Sequence, residues 1–336
     1  MSRSISRRTF LLGSATAVAG AAAVASTAGW LRREPEPWDH SAFPPPGDAR
    51  VAVLRASGYD RGLEEVVADG LRAISADVSG ASVVLKPNLV EVRKDLPINT
   101  DPRLVSAAVL ALRRLGAASV TVAEGPGHRR DTTYVRSASG LDDALHAVEA
   151  PFVDLNTDSL VRRPLRSSFT SLGSLWVPQT IAEADVVVSM PKMKTHHWAG
   201  ATLSMKNCFG CVPGRVYGWP KNVLHFAGIG QAIIDVTAAV RPRYAIVDGI
   251  VGMQGNGPIT GTPAGAGVLV FGDDPVATDV IAATLMGIDP TRLDYLREAS
   301  RFLGQGDRER IRTEGEDVDR AVVPFQLIPE FASLRA

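Results

Sequence analysis

Residues 191–197, Pro-Lys-Met-Lys-Thr-His-His, place two lysines and two histidines within seven positions. The whole chain holds six lysines against thirty arginines. Arginine therefore meets the ordinary need for surface positive charge. The retained lysines point to work that a guanidinium does poorly: presenting a compact charge, losing a proton when buried, or forming a Schiff base. Lys86, Lys192, Lys194 and Lys206 all fall near predicted strand ends, and such a group of amines predicts an anionic ligand, carboxylate or phosphate. Lys192, Lys194 and His196 share one parity of an extended segment, while His197 points the other way. His196 is thus the expected acid/base or ligand of the two.

Other chemically capable residues follow apolar runs in the same manner. "VVLKPN" ends in Lys86 and Asn88, "VTVAEG" in Glu124, "AIVDG" in Asp248 and Gly249, and Asn207 follows Lys206. Ligands of open α/β sheets bind where the carboxyl ends of strands meet their loops, so these residues predict one shared site. Cys208 and Cys211 are the only cysteines, in a C-x-x-C spacing. They could form a closed disulfide, a dithiol redox pair or half of a metal site, but cannot alone hold an iron–sulfur cluster. No dinucleotide or phosphate-loop glycine pattern, G-x-S-x-G elbow or H-E-x-x-H pair occurs.

The elements that must position these groups are read from periodicity. "VAVLRAS", "SVVLKPN", "SVTVAEG", "DVVVSMP", "RYAIVDG" and "GVLVFGD" read as strands, and Gly62–Ile74 carries apolar residues at helical spacing. Asp101-Pro102, Asp274-Pro275 and Asp289-Pro290 read as helix starts. Residues 223–240 read as one helix, and 249–265 as a Gly-rich loop. The expected architecture is α/β: a mostly parallel sheet with helices on both faces, and irregular Gly/Pro-rich loops at the strand carboxyl ends.

The chain has 336 residues, 45% of them hydrophobic, with no formal net charge, and nothing in its charge pattern points to nucleic acid. Residues 1–28 read as a twin-arginine export signal: Ser6-Arg7-Arg8-Thr9-Phe10-Leu11-Leu12 precedes an Ala/Gly/Val-rich run. Its expected partner is the twin-arginine translocation machinery, its destination periplasmic or extracellular, and its only contact with a membrane this segment, cleaved or kept as an anchor. Residues 29–49 read as a Pro-rich linker, 50–305 as the α/β domain, and 306–336 as a tail packing on it.

"VVLKPNLV", "EGPG", "ADVVVSMPKMKTHHWAGATLSMKNCFGCVPG", "IVDGIVGMQGNGP" and "GDDPVATDVIAATLMGIDP" together resemble the family called domain of unknown function 362. Many of its members append a ferredoxin-like domain with cluster-binding cysteines; this chain has no such motif. The family motifs fall on Lys86, Asn88, Lys192, Lys194, His196, Lys206, Asn207, Asp248 and Gly249. The expected function is an exported, cofactor-dependent enzyme acting on an anionic small molecule, with redox chemistry as the subclass suggested by the export route and the cluster-bearing relatives. Lys192 and Lys194 would hold the anion, and His196 or Lys206 would move a proton. Asn88, Glu124 and Asn207 would complete the ligand site, and Asp248 would accept a hydrogen bond or bind a metal ion. The cofactor would be phosphate-bearing or a metal. The rivals are a non-catalytic binder of an anionic ligand and a thiol–disulfide protein working through Cys208 and Cys211.

Overall fold

Runs of Val, Ile and Leu that are apolar at every position must be covered on both sides, and they build the centre of this structure. The structure, a computed structural model, describes residues 35–60, 62–127 and 131–336. The expected export signal lies outside the described residues. In chain order the strands are β1 (Ala49–Arg55), β2 (Ser82–Pro87), β3 (Ser119–Glu124), β4 (Phe152–Asp154), β5 (Leu160–Pro164), β6 (Ser174–Pro178), β7 (Val186–Met190), β8 (Lys192–His196), β9 (Gly200–Thr202), β10 (Tyr244–Gln254), β11 (Thr262–Ala264), β12 (Val268–Gly272) and β13 (Ile311–Gly315).

The main sheet runs β13-β1-β12-β10-β7-β2-β3-β4, and β5 with β6 forms a separate antiparallel ribbon. Neighbours along the main sheet are parallel except at β12, which is antiparallel to both β1 and β10. A parallel return needs a crossover of a dozen or more residues, usually helical. The 255–267 connection contains no helix, and the chain comes back antiparallel. Past Pro191, β8 continues the line of β7, pairs parallel with β10 and carries β9.

Helices cover both faces. Leu63–Ala73, Pro102–Arg114 and Leu141–Ala147 pack over Val83, Leu85, Val120, Val122 and Phe271. Ile229–Val240 and Pro275–Leu285 pack on the other face over Val84, Val187, Val247 and Val270. Two of the Asp-Pro starts cap true helices: Asp101 accepts from Arg103 N at 2.9 Å, and Asp274 from Val276 N at 2.8 Å. The third, Asp289, caps only a short 3-10 turn before the helix Asp294–Ala299.

Two expectations are corrected. The helix expected over 223–240 is two, Asn222–Phe226 and Ile229–Val240, broken at Gly228, whose φ of 97° is closed to most side chains. The stretch 249–265 is not all loop, because β10 runs on to Gln254 and β11 pairs back on it. Its glycines serve close packing inside a strand: a Cβ at Gly252 would lie 2.7 Å from the Met193 carbonyl oxygen and 2.8 Å from the Phe325 ring. No described helix is long and apolar enough to cross a membrane.

Gly70, inside the helix Leu63–Ala73, faces the ring of Phe271 on β12, which a Cβ would strike. Helix propensity favours alanine there by about 1 kcal/mol, whereas overpacking a buried contact costs about 1–3 kcal/mol. Gly70→Ala should therefore lower the urea midpoint, and a raised midpoint would show that the helix and sheet are not in this contact.

Candidate functional site

Beyond the carboxyl ends of β2 and β3, and alongside β8, lies a cavity of about 290 Å³. Lys86, Asn88, Glu124, Lys194, His196, Lys206 and Asn207 all line it, so seven of the residues singled out in the sequence meet there. Thr202, Lys221, His197 and His225 join them, and Leu89, Val90, Trp198, Phe209, Pro220, Pro258 and Ile259 make much of the remaining wall apolar.

Lys86 is the fixed point. Its ammonium, essentially buried, reaches Glu124 Oε2 at 2.5 Å and donates to the Asn207 carbonyl oxygen at 2.6 Å and Asn207 Oδ1 at 2.7 Å. Three donors meet three acceptors, so Lys86 has no proton left for a ligand. Glu124 is equally occupied, accepting from Gly125 N and Leu89 N. The Asn207 amide in turn donates to the Lys86 carbonyl oxygen and Ser189 Oγ, and accepts from Asn88 Nδ2 at 3.2 Å. Gly210 lies directly over this pair, and any Cβ there would collide with Glu124 Oε1 and Lys86 Nζ.

The other lining amines have no carboxylate of their own among the described residues. Lys194 donates to Asn88 Oδ1 at 2.6 Å and the Ile98 carbonyl oxygen at 2.8 Å. Lys221 donates to the carbonyl oxygens of Gly125 and Phe209, both at 2.7 Å. Lys206 makes no hydrogen bond among the described residues; its Nζ rests 3.8 Å from the centroid of the Phe209 ring. Burial, with Lys192, Lys206 and Lys86 nearby, holds the Lys194 amine well below the ordinary lysine range. Burial, then the charges of Lys221 and Lys86, brings Lys206 down to about 7. Burial likewise brings Lys221 to about 7, with Glu124 opposing the shift.

His196 Nδ1 accepts from Trp198 N at 3.0 Å and Ala199 N at 3.2 Å, which leaves the ring proton on Nε2. Burial, then Lys206 and His197, keeps this ring neutral by pushing it well below the usual histidine range. It is built to donate a hydrogen bond rather than to take up a proton. The expectation that His197 faces away is corrected: β8 ends at His196, the chain turns, and the two rings lie 5.1 Å apart, both lining the cavity. Thr202 stands opposite Lys194 in the β8–β9 register, and its buried hydroxyl has no partner among the described residues.

Lys192 and Asp248 are not lining residues. They face each other across β8 and β10, with Lys192 Nζ 2.5 Å from Asp248 Oδ2. Tyr59 closes the group: its hydroxyl donates to Asp248 Oδ1 at 2.7 Å and accepts from Lys192 Nζ at 2.8 Å. The Asp101 backbone N–H completes Asp248. This closed cluster braces β8 against β10 and the start of the helix Pro102–Arg114. Gly249 packs under Met193 rather than against the cavity. Cys208 and Cys211 are free thiols in one 3-10 turn, buried behind the wall that Phe209 and Gly210 present. A hydrogen bond from Cys208, then Lys86, lowers the Cys211 thiol. Among the described residues no group of three His, Cys, Asp or Glu side chains is gathered to hold a metal ion.

A family model described as Domain of unknown function (DUF362) matches residues 83–284, which contain every cavity-lining residue named above. The Thylakoid-associated protein sll1697 of Synechocystis sp. is 27% identical over 277 residues, covering 75% of this chain and 79% of that protein. Among solved structures, the lactate racemase apoprotein of Thermoanaerobacterium thermosaccharolyticum superposes with a TM-score of 0.48 at 14% identity over 74% of this chain. A protein from Thermotoga maritima does so at 0.32 and 12% over 60%. This chain spans 58% and 52% of the lengths of those two.

The Lys86–Glu124 pair yields a direct test. Glu124→Gln leaves the Lys86 charge buried without its counter-ion and should cost about 3–5 kcal/mol in urea unfolding. Adding Lys86→Met removes that charge and should recover at least part of the loss. A single variant as stable as the parent would contradict the pairing.

Proposed function

We propose a function from one premise, that the chain belongs to the family described as Domain of unknown function (DUF362), and from the charge imbalance of its cavity. The protein binds a small organic anion at the strand ends and acts on it as an enzyme by proton transfer. The observation that carries this reading is that Lys194, Lys206 and Lys221 line one cavity whose only described carboxylate, Glu124, is already bound to Lys86. A carboxylate or phosphate would supply the missing charge and accept from Lys206 and Thr202, which are unpaired among the described residues, and from His196 Nε2–H. The volume sits at the low end for small-molecule sites, about 300–1,000 Å³, which favours a small metabolite over an intact dinucleotide. The apolar wall favours an anion with a carbon skeleton over inorganic phosphate.

Catalysis rather than storage is supported by Lys206. An amine at about 7 exists in both protonation states at neutral pH, which suits a general base. The neutral His196 would stabilise charge developing on a substrate oxygen, as a donor in a water-poor site. Export along the twin-arginine route belongs to the same proposal and rests on Ser6-Arg7-Arg8-Thr9-Phe10-Leu11-Leu12.

Calorimetric titration with propionate, glutarate and glycerol phosphate tests the reading. An anion binds the ammonium form of Lys206, so binding takes up a proton. Affinity should be greatest below pH 7 and fall as pH rises through about 7, by at most about tenfold per pH unit for each amine involved. Lys206→Met should weaken binding by roughly tenfold or more and flatten that slope. Affinities that ignore both pH and the substitution would overturn the proposal. Deuterium uptake from D2O into the bound anion separates an enzyme from a non-catalytic binding protein.

A further inference from the structure

The four lining lysines differ in how fully their ammonium protons are engaged, and this decides which nitrogen lone pair can reach a ligand. Lys86 has all three ammonium protons engaged, and Lys194 and Lys221 each have two engaged with oxygen acceptors. A lysine held in this way cannot turn its nitrogen lone pair toward a ligand without breaking those bonds. Lys206 alone among them has no hydrogen bond to a described residue, and the face of Phe209 supports it on one side.

Its backbone, by contrast, is firmly placed. Ser204 N and Met205 N donate to buried Asp279 at 2.7 and 3.0 Å, with the Ser204 hydroxyl on the same carboxylate. One residue after Lys206, Asn207 is locked by Lys86 and Ser189. An amine without a hydrogen bond among the described residues, on an anchored backbone, in a cavity lined also by the neutral His196 and by Thr202, whose buried hydroxyl has no described partner, is the arrangement of a nucleophile beside donors for a carbonyl oxygen.

We infer that Lys206 is a covalent attachment point: it forms an imine with an aldehyde or ketone carbon of a small carboxylate, most simply a 2-oxo acid. The inference rests on the anion-binding reading, which supplies the carboxylate's charge partners. In the first step the amine nitrogen adds to the carbonyl carbon, the C=O π pair moves to oxygen, and a proton passes from nitrogen to that oxygen. In the second the carbinolamine loses its hydroxyl, with a proton, as water and the C=N bond forms. No oxidant or reductant is needed. Thr202 Oγ and His196 Nε2–H can serve the oxygen as it gains charge, and Lys194 and Lys221 can hold the carboxylate. The lowered proton affinity of Lys206 supplies free amine near neutral pH.

Borohydride trapping tests this on the purified protein. Glyoxylate, pyruvate and 2-oxoglutarate are each incubated with the protein at pH 8 and reduced, and the modified lysines are mapped by peptide mass spectrometry. Acetate, propionate and glutarate, their counterparts without the carbonyl, are titrated in parallel by calorimetry. At least one oxo acid should label Lys206 roughly ten- to hundredfold faster than exposed Lys94, its counterpart should slow that labelling, and Lys206→Arg should abolish it. Should that variant fail to fold, the map on the unmodified sequence still decides. Labelling spread evenly over the lysines, or absent from Lys206 with all three acids, overturns the inference. If the counterparts nevertheless bind, the anion site stands and only the imine is wrong; if they do not bind either, both readings fall.

Discussion

Among the described residues, four amines share one cavity with a single carboxylate, and that imbalance governs the rest of the site. Lys86 is neutralised by Glu124, which leaves Lys194, Lys206 and Lys221 to repel one another. Two unit charges 4 Å apart repel by about 4 kcal/mol at an effective dielectric of 20, so burying three ammonium groups together is costly. The molecule relieves the strain in two ways. It aims amide and carbonyl oxygens at Lys194 and Lys221, and it lets protons go, as the depressed amines show. Lys206 has, among the described residues, only the Phe209 ring against its ammonium.

The fold makes this crowding possible because β7, β2 and β3 are parallel and end together. β2 and β3 give their next residues to the cavity, and β8, which continues β7, brings Lys194 and His196 to it. The segment 204–211 closes the site from the other side, pinned by Asp279 at its start and by the Gly210 carbonyl, which accepts from Gly125 N at 3.1 Å. Gly210 is needed because the wall lies directly on the Lys86–Glu124 pair. The Lys192–Asp248–Tyr59 cluster sits apart from the cavity lining, but it fixes the strand that delivers Lys194 and His196.

Much of the site was legible in the sequence because lysine is rare in it. Six lysines in 336 residues made each one informative, and four of them line the cavity. Parity along β8 selected Lys194 and His196, yet could not show that Lys192 would be taken by Asp248. That depends on Asp248 lying opposite Lys192 in a bulged parallel register. His197 escaped the parity rule because the strand ends one residue earlier. Lys221, in a left-handed conformation between two short helices, shared the rarity of lysine but followed no strand that would place it, and Thr202, an ordinary strand residue, carried no local signal; only tertiary contacts bring them to the cavity. The sheet itself followed from the apolar runs. The break at Gly228 and the strand through Gly249 and Gly252 did not, because glycine in a strand and glycine in a loop look alike until neighbours are known.

With six lysines, the side-chain ¹³Cε resonances of lysine-labelled protein can be followed individually from pH 5 to 11. Such a titration reads most directly whether the cavity is short of negative charge. Lys206 and Lys221 should titrate near 7, and both should move upward when a carboxylate such as glutarate is added. All six titrating together near 10.5, indifferent to added anion, would contradict it.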